Sequence, residues 1–293
     1  MRKTTRILLT GGGSGGHIQP NLAIATAVKS RCGSNGGYRS DDCRVEILYV
    51  GSRSPFDRQL VEAAQIPFFS ILTGKLRRYF SWQNFVDPIF VIIGFFQALF
   101  ILIRFWPHVV FAKGGFVSLP VAFAAFLLRR PIVLHESDSV MGLSNRIVAK
   151  LATKICVAFP NVIAPSNKVV FTGNPVRLSV QGGNADEGYR LTGFRPEKPV
   201  VLVWGGSQGS EEINDRIIQE FHRLKSVFQI IHVTGQGKRI DCGSNGEACC
   251  GAASRGANCG VEGYVQFEYL GDELKHIYAI TDFAVGRAGA NSL

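Results

Sequence analysis

The stretch Arg6-Ile7-Leu8-Leu9-Thr10-Gly11-Gly12-Gly13-Ser14-Gly15-Gly16-His17 decides the expected fold of this chain. Its first five residues form a short apolar strand, which runs into a glycine-rich turn. A helical pattern follows the turn, with apolar residues on one face at Ile18, Leu22, Ala25 and Val28. A strand, a glycine turn and a helix in this order predict the opening unit of a parallel α/β domain.

The pattern begins again in the second half of the chain. Residues 200–204 form an apolar strand, residues 205–210 a second glycine turn, and a helical pattern follows. Further strands are expected at 45–50, 109–112, 132–135, 229–233 and 283–285. We therefore expect an α/β fold of two Rossmann-like domains, residues 1–165 and 166–293, whose parallel sheets face a cleft. The boundary is expected near residues 160 to 178, in a turn-rich passage from Pro160 to Pro199.

Composition excludes several classes of protein. The chain has 293 residues, 46% of them hydrophobic, and a mean hydropathy of +0.14, values that rule out a disordered tail, a collagen-like repeat or a small disulfide scaffold. The 32 Lys and Arg residues outnumber the 22 Asp and Glu residues, which gives a net charge of +10. Such a charge favours anionic partners, which are phosphates, nucleic acid or an acidic membrane face.

The seven cysteines are expected to be free thiols, six of them on glycine- and serine-rich surface insertions. A metal site at residues 242–259 is not expected, because the spacing Cys-x6-Cys-Cys-x8-Cys lacks the paired Cys-x2-Cys knuckles of structural zinc sites. The basic start of the chain is followed by only three apolar residues, too few for a signal-peptide core, so no secretion signal is expected.

The most apolar segment runs from Ile89 to Ile103, between Pro88 and Arg104. It is shorter than the roughly 20 residues that span a bilayer. Cations and aromatic residues alternate just before it, at Lys75, Arg77, Arg78, Tyr79, Phe80, Trp82 and Phe85. This arrangement favours a helix that touches an anionic membrane surface, and the alternative is an ordinary core helix beside a solvated basic loop.

The first glycine turn fits the dinucleotide fingerprint Gly11-x-Gly13-x-x-Gly16, but the chain has Val50-Gly51-Ser52-Arg53 where NAD-binding proteins carry an acidic residue for the ribose. NAD is therefore not expected. The glycines still allow backbone N–H groups to approach a pyrophosphate at a helix N-terminus. His17 ends the turn, where the helix dipole favours the neutral imidazole that a general base requires; the alternative is a His that only caps or packs.

Two later features also suit anion binding. Arg177 ends the rigid turn 171–177 and can clamp a diphosphate, although a surface ion pair is the alternative. Residues Ser207 to Ser210 offer amides and hydroxyls at a second helix N-terminus, without the lysine of an ATPase loop.

The motifs together resemble the MurG family, the bacterial glycosyltransferases that add N-acetylglucosamine to the lipid-linked muramyl-pentapeptide precursor of peptidoglycan. In chain order they are LTGGGSGGH (9–17), KGGFVS (113–118), HESD (135–138), GLSN (142–145), TGNPVR (172–177), GGSQG (205–209) and RAGA (287–290). They are spread over nearly the whole chain. The resemblance implies a GT-B fold with the acceptor and the membrane on the N-terminal domain and the nucleotide sugar on the C-terminal domain.

The resemblance also implies roles for individual residues. His17 is the expected catalytic base, and the expected substrate-binding residues are Ser14, Gly15, Gly16, Asp138, Arg177, Ser207 and Leu270, the last through its backbone. Asp138 stands where many family members have Asn, and it can accept hydrogen bonds from sugar hydroxyls but cannot donate an amide. Ser14 replaces the usual Thr.

The implied activity is an inverting, metal-independent and cofactor-free transfer from UDP-N-acetylglucosamine to the 4-hydroxyl of undecaprenyl-linked muramyl-pentapeptide, which converts lipid I to lipid II. The implied location is peripheral, on the cytoplasmic face of the bacterial plasma membrane, and the anionic membrane surface is a partner while nucleic acid is not. The family continues beyond the position of Leu293 with a Glu that holds the ribose, so we expect a truncated product. The alternatives are a non-catalytic, membrane-bound nucleotide-sugar-binding module and a related lipid glycosyltransferase.

Overall fold

The computed structural model separates the chain into two compact units, Met1–Arg177 and Leu178–Leu293. It describes residues 3–13, 15–33, 43–74, 83–162, 166–206, 209–240 and 262–287. Each unit is built on its own parallel sheet.

Unit 1 contains, among its described residues, a parallel sheet of seven strands. The strands are β1 (Lys3–Thr10), β2 (Cys43–Gly51), β3 (Phe68–Ser70), β4 (Val109–Ala112), β5 (Ile132–Glu136), β6 (Lys154–Val157) and β7 (Val169–Phe171). Their order in the sheet is β3-β2-β1-β4-β5-β6-β7. The helices are α1 (Gly15–Gly33), α2 (Pro55–Ala63), α3 (Gln83–Phe105), α4 (Ser118–Leu127) and α5 (Leu143–Leu151), and a 3-10 helix covers Ser166–Lys168.

Helices cover the sheet of unit 1 on both faces. Successive side chains of a strand point to opposite sides of the sheet, so neighbouring residues lie in different cores. Leu8 of β1 lies in a core with Ala98 and Leu102 of α3, together with buried residues of α4 and α5. The next residue, Leu9, lies in the opposite core with buried residues of α1 and α2. The strand order reverses direction between β1 and β4, and ligands of such sheets bind outside the carboxyl ends of the strands at that reversal.

Unit 2 contains a smaller parallel sheet in its described part. Its strands are β8 (Val200–Trp204), β9 (Gln229–Val233), β10 (Tyr264–Phe267) and β11 (Phe283–Gly286), in the order β10-β9-β8-β11. The helices are α6 (Ala185–Thr192), α7 (Glu211–Gln219), α8 (Phe221–Val227) and α9 (Leu274–Ile280), and a 3-10 helix covers Leu178–Val180. Leu202 of β8 and Ile231 of β9 are central residues of its main core. The order reverses between β8 and β11, next to the second glycine turn.

The passage from 160 to 199 is more regular than the sequence predicted. Its described residues include β7, α6 and two 3-10 helices between the turns that the sequence predicted. Strand β7 pairs with β6 in the first sheet, and unit 1 ends at Arg177, which is within the expected boundary region 160–178 and after the predicted domain end at residue 165. The three residues of β7 are too few for a period-2 pattern to be visible in the sequence.

Helix α3 extends beyond the predicted segment 89–103 at both ends and includes Pro88. A proline removes one helical hydrogen bond, but the helix continues because its later turns bury residues such as Ala98 and Leu102 against the sheet. Among the described ranges, no helix combines the length and the hydrophobicity that a transmembrane span requires. The basic and aromatic residues of 75–82 lie outside the described residues, as does the side chain of Phe85.

Among the described residues, one cysteine departs from the expectation of free thiols. Cys32, near the end of α1, is in a disulfide bond, whereas Cys156 of β6 is a free thiol. A disulfide depends on the spatial distance between two residues, which their spacing in the sequence does not give. Residues 242–259 lie outside the described ranges, and within those ranges no group of three or more His, Cys, Asp or Glu residues could hold a metal ion.

Candidate functional site

Three loops meet at the carboxyl edge of the first sheet, where β1, β4 and β5 end. They are the glycine turn after Thr10, the segment Lys113–Gly115 after β4, and the segment Ser137–Asp138 after β5. The first two are in contact: a Cβ atom on Gly115 would lie 2.6 Å from the carbonyl oxygen of Gly12 and 3.4 Å from Cδ2 of His17. Gly115 also has a φ of +80°, so this position requires glycine on both counts.

His17 is the third residue of α1 and is half-buried beside the loop after β4. Its ring forms a hydrogen bond with the backbone of Lys113. Burial lowers the pKa of His17, and the Lys113 ammonium lowers it further, while the carboxylates of Asp138 and Glu136 oppose the shift. The imidazole is therefore uncharged at neutral pH and able to accept a proton.

Lys113, directly after β4, is a buried cation with only 1% of its surface exposed. Its Nζ donates a hydrogen bond to Oγ of Ser137, which in turn donates to Oδ1 of Asn174 at 3.1 Å. Burial lowers the pKa of Lys113 to about 8, although Glu136 and Asp138 favour the charged form. Lys113 thus connects the end of β4 to the loop after β5 and to the turn after β7.

Glu136, at the end of β5, organises its own loop. One carboxylate oxygen accepts a hydrogen bond from the backbone N of Asp138 at 3.0 Å, and the other accepts from the backbone N of Gly142 at 3.3 Å and from Nδ2 of Asn145 at 2.9 Å. Both oxygens of this buried group are therefore occupied. The side chain of Asp138 is exposed.

His135 ties the same strand to the turn that contains Gly173. Its Nε2 donates to the carbonyl oxygen of Gly173 at 3.0 Å. Burial, together with the charge of Lys113, lowers the pKa of His135 to about 4, so the ring is neutral. Two hydrogen bonds, His135 to Gly173 and Ser137 to Asn174, consequently fix the turn 172–177 against β5.

A carboxylate that the sequence analysis missed lies behind the first glycine turn. Asp57 of α2 is fully buried, and its Oδ2 accepts hydrogen bonds from the backbone N of Gly13 at 3.2 Å, from the backbone N of Ser52 at 3.4 Å and from Oγ of Ser52 at 2.5 Å. The Gly13 amide therefore already donates to Asp57.

The second glycine turn is fixed within unit 2 by a buried polar network. Asn214 of α7 donates from Nδ2 to the carbonyl oxygen of Thr234 at 3.1 Å, and its Oδ1 accepts from Nε2 of His232 at 3.0 Å. Nδ1 of His232 accepts from the hydroxyl of Tyr264 at 3.0 Å. Gly209 packs so closely on Thr234 that a Cβ there would lie 1.9 Å from the Thr234 carbonyl oxygen. This contact holds the turn against the end of β9.

Arg287 follows β11, and its Nη2 donates to Oγ of Ser210 at 2.8 Å, at the start of α7. A cation thus lies beside the second glycine turn. The sequence analysis included Arg287 in a family motif without giving it a role.

Comparison with known proteins identifies both halves of the chain. The model of the "Glycosyltransferase family 28 N-terminal domain" matches residues 7–157, and that of the "Glycosyltransferase family 28 C-terminal domain" matches residues 200–293. The chain belongs to glycosyltransferase family 28.

Curated relatives of this family 28 chain share one name, UDP-N-acetylglucosamine--N-acetylmuramyl-(pentapeptide) pyrophosphoryl-undecaprenol N-acetylglucosamine transferase. The protein of Clostridium kluyveri is 41% identical over 288 residues, which cover 98% of this chain and 74% of the relative. That of Geobacillus kaustophilus is 40% identical over 296 residues, covering 100% and 75%. The resemblance to the MurG family is therefore confirmed.

Solved structures show the same fold. Acinetobacter baumannii MurG superposes with a TM-score of 0.60 at 23% identity, covering 98% of this chain and 75% of that one. A UDP-GlcNAc 2-epimerase from Neisseria meningitidis superposes with a TM-score of 0.55 at 11% identity, covering 98% and 78%. At these identities the likeness concerns the fold alone, and it confirms the GT-B class for this family 28 chain.

The residues expected at the site of this family 28 chain fall into three groups. Gly15, Gly16 and His17 begin α1 in unit 1, which also contains the exposed Asp138. Ser14 and Ser207 lie outside the described residues.

The remaining two expected residues differ in their surroundings. Arg177 ends unit 1, is half-buried and makes no ion pair with any residue in the described part of the chain. Leu270 of unit 2 is 5% exposed and packs in the core, so only its backbone can face a ligand.

Proposed function

We propose that this chain transfers N-acetylglucosamine from UDP-N-acetylglucosamine to the 4-hydroxyl of undecaprenyl-linked muramyl-pentapeptide, converting lipid I to lipid II. The observation that carries the proposal is the position of His17, a half-buried imidazole at the carboxyl edge of the sheet, beside the glycine turn and the loop after β4, where burial lowers its pKa. The names of relatives about 40% identical over nearly the whole chain support the same substrates.

In the proposed reaction His17 accepts the proton of the acceptor 4-hydroxyl as the oxygen forms a bond to the anomeric carbon. The bond from that carbon to the diphosphate breaks, UDP leaves with the electron pair, and the configuration at the anomeric carbon inverts. The proton ends on the imidazole, which is neutral before the reaction because of burial and the nearby Lys113 charge.

We propose that UDP is held by Arg177 and Ser207 at its diphosphate and by the backbone of Leu270 near the base. Arg177 supports this role because it is half-buried and has no ion-pair partner among the described residues. A guanidinium and helix N-termini can stabilise the charge that develops on the leaving diphosphate without a metal ion. Ser14, Gly15, Gly16 and the exposed Asp138 are proposed to face the sugar and acceptor phosphates.

The N-terminal unit is proposed to bind the acceptor and the membrane, and the C-terminal unit the nucleotide sugar. Helix α3 supports membrane contact because it buries Ala98 and Leu102 but leaves Phe96 61% exposed and Phe100 70% exposed. Phe126, at the end of the adjacent α4, is 57% exposed. An apolar surface of this kind on a basic protein suits peripheral attachment to an anionic membrane, here the cytoplasmic face of the plasma membrane. Nucleic acid is not a proposed partner.

The test is a transfer assay with UDP-N-acetylglucosamine and lipid I, in which UDP release and the disaccharide lipid are measured together. We expect one UDP for each disaccharide formed, and no UDP without acceptor. Calorimetry with UDP and NAD on the same preparation should show binding of UDP only. UDP binding without any transfer would contradict the proposal and leave a nucleotide-sugar-binding module, whereas NAD binding without UDP binding would contradict both.

A further inference from the structure

We propose that Lys113 is a positioning residue for the transfer reaction: its buried ammonium joins the loop after β5 to the turn after β7 and lies close enough to His17 to act on the charge of its ring. The inference rests on the proposed function only in giving His17 the role of base. Its structural content, a buried cation that controls a neighbouring imidazole, can be measured without any activity.

Lys113 is a buried cation whose ammonium group depends on a hydrogen bond. The residue is 1% exposed, and it makes no ion pair of 4 Å or less with a described residue. A buried ammonium is costly without hydrogen bonds, and Lys113 has one with Ser137. Removing the cation would therefore affect the arrangement that depends on it.

The hydrogen bonds that lead away from Lys113 carry the second step. Ser137 donates a hydrogen bond to Asn174. The neighbouring residue, Gly173, accepts a hydrogen bond from His135 at its carbonyl oxygen. The turn that these bonds fix runs on to Arg177, the residue proposed to hold the diphosphate. A single buried side chain thus supports two loops on which proposed substrate contacts lie.

The charges around His17 carry the third step. The groups that act on its ring are Lys113 after β4 and the carboxylates Glu136 and Asp138 from β5 and the loop that follows it. The carboxylates favour the imidazolium, and Lys113 is the group whose charge opposes it. Without Lys113, two negative charges would act on His17 with no cation to balance them.

The first experiment follows the ring of His17 by NMR across a pH titration of the full chain, with the His17→Asn spectrum to assign it among the six histidines. Lys113→Met should move the half-titration of His17 upward by about one pH unit, the scale of one neighbouring charge. Lys113→Gln is a second neutral variant if the first is too unstable to titrate. Lys154→Met, an exposed lysine at the start of β6, is the matched control and should leave the titration unchanged.

A second variant separates the hydrogen bonds from the charge. Ser137→Ala keeps the ammonium, so the half-titration of His17 should stay in place, while the backbone order parameters of Gly173 and Asn174 should fall. If neither neutral Lys113 variant moves His17, the electrostatic part of the inference is wrong. If Ser137→Ala leaves the turn as rigid as before, the positioning part is wrong.

Activity measurements distinguish this inference from the proposed function. In Lys113→Met the acidic limb of the kcat/KM profile should move to higher pH together with the NMR titration, because a base works only when unprotonated. A His17→Ala chain that retains full activity, beside a shifted NMR titration in Lys113→Met, would overturn the role of His17 and leave the Lys113 inference standing. An inactive His17→Ala chain, together with an unchanged His17 titration in Lys113→Met, would support the role of His17 and overturn the Lys113 inference.

Discussion

Asp57 anchors Gly13 by a hydrogen bond: its carboxylate oxygen Oδ2 accepts from the backbone N of Gly13 at 3.2 Å. The same oxygen also accepts hydrogen bonds from the backbone N and the hydroxyl of Ser52. A Cβ on Gly12 would lie 2.5 Å from that oxygen. The first glycine turn therefore packs at Gly12 and Gly13 against a buried carboxyl group that belongs to α2.

Asp57→Ala should lower the free energy of unfolding of unit 1 by about 3 kcal/mol, because three donors lose a charged acceptor in a buried place. Asp57→Asn should cost less, since its amide oxygen can still accept one of these bonds. Urea unfolding measures the loss, and hydrogen exchange at the Gly13 amide locates it. Glu62→Gln, in the exposed pair with Arg58 on the same helix, is the control and should cost less than about 0.5 kcal/mol. Equal losses of unfolding free energy in Asp57→Ala and Glu62→Gln would show that the hydrogen bonds of Asp57 do not stabilise the turn.

His17→Ala should lower kcat by about 100-fold to 10,000-fold and leave the Kd for UDP nearly unchanged, because general-base catalysis contributes in that range and the proposed UDP contacts are elsewhere. Steady-state kinetics and calorimetry on one preparation provide both numbers. A variant that keeps its rate within a few-fold would make His17 a structural residue. Glu136 would not replace it, as both of its oxygens are occupied.

Arg177→Ala, unlike His17→Ala, should raise the Kd for UDP, because a contact to the diphosphate exists before the reaction as well as during it. The Kd for UDP measures this directly. Arg190→Ala, a variant at an exposed arginine paired with Glu187, is the control and should bind UDP like the parent. Unchanged affinity in Arg177→Ala would remove it from the proposed binding site.

Membrane attachment should depend on the exposed phenylalanines of α3. Phe96→Ser with Phe100→Ser removes two side chains worth about 2 kcal/mol each on burial, so binding to anionic vesicles should fall at least roughly 100-fold. Ile218→Ser, a variant at a residue 49% exposed on α7 of unit 2, is the matched control. Changing Lys75, Arg77 and Arg78 to Glu should also release the protein, since each cation contributes about 1 kcal/mol. A chain that resists high salt and carbonate and needs detergent for release would contradict peripheral attachment.

The stability of unit 2 should fall in acid because of His232. Burial lowers its pKa from 6.5 to about 4, so the unfolded chain binds a proton that the folded unit does not between these values. The contribution is fully present above pH 6.5 and is lost as pH falls toward 4, by about 3 kcal/mol. Urea unfolding from pH 7.5 to 4.5 measures the slope. His232→Gln should flatten it, and a slope identical to that of the parent would show that His232 does not titrate on unfolding.

The fold could be predicted where an apolar run stood out from its surroundings or was followed by a glycine turn. Strands Val109–Ala112, Val200–Trp204 and Gln229–Val233 have the predicted bounds. The strands β3, β6, β7 and β10 were missed, because pairing with a neighbouring strand, which the local sequence does not show, supplies most of their stability.

The site was predicted less completely, for a physical reason. His17 was recognisable because it follows a glycine turn in the sequence itself. Lys113 and Asp57 were not given roles, because each acts through residues far along the chain, Ser137 in one case and Gly13 in the other. The local sequence around Gly13 cannot show that a carboxylate more than forty positions away accepts the hydrogen of its amide.

The contact of Gly115 with Gly12 and His17 limits how this enzyme can adapt. A side chain at 115 would strike the carbonyl of Gly12, and one at 12 would strike Asp57, so the two loops cannot be altered independently. Exposed positions around these two loops, of which Asp138 is one, are free of that constraint. The carboxyl edge of the sheet therefore combines positions that cannot take a larger side chain with positions that can.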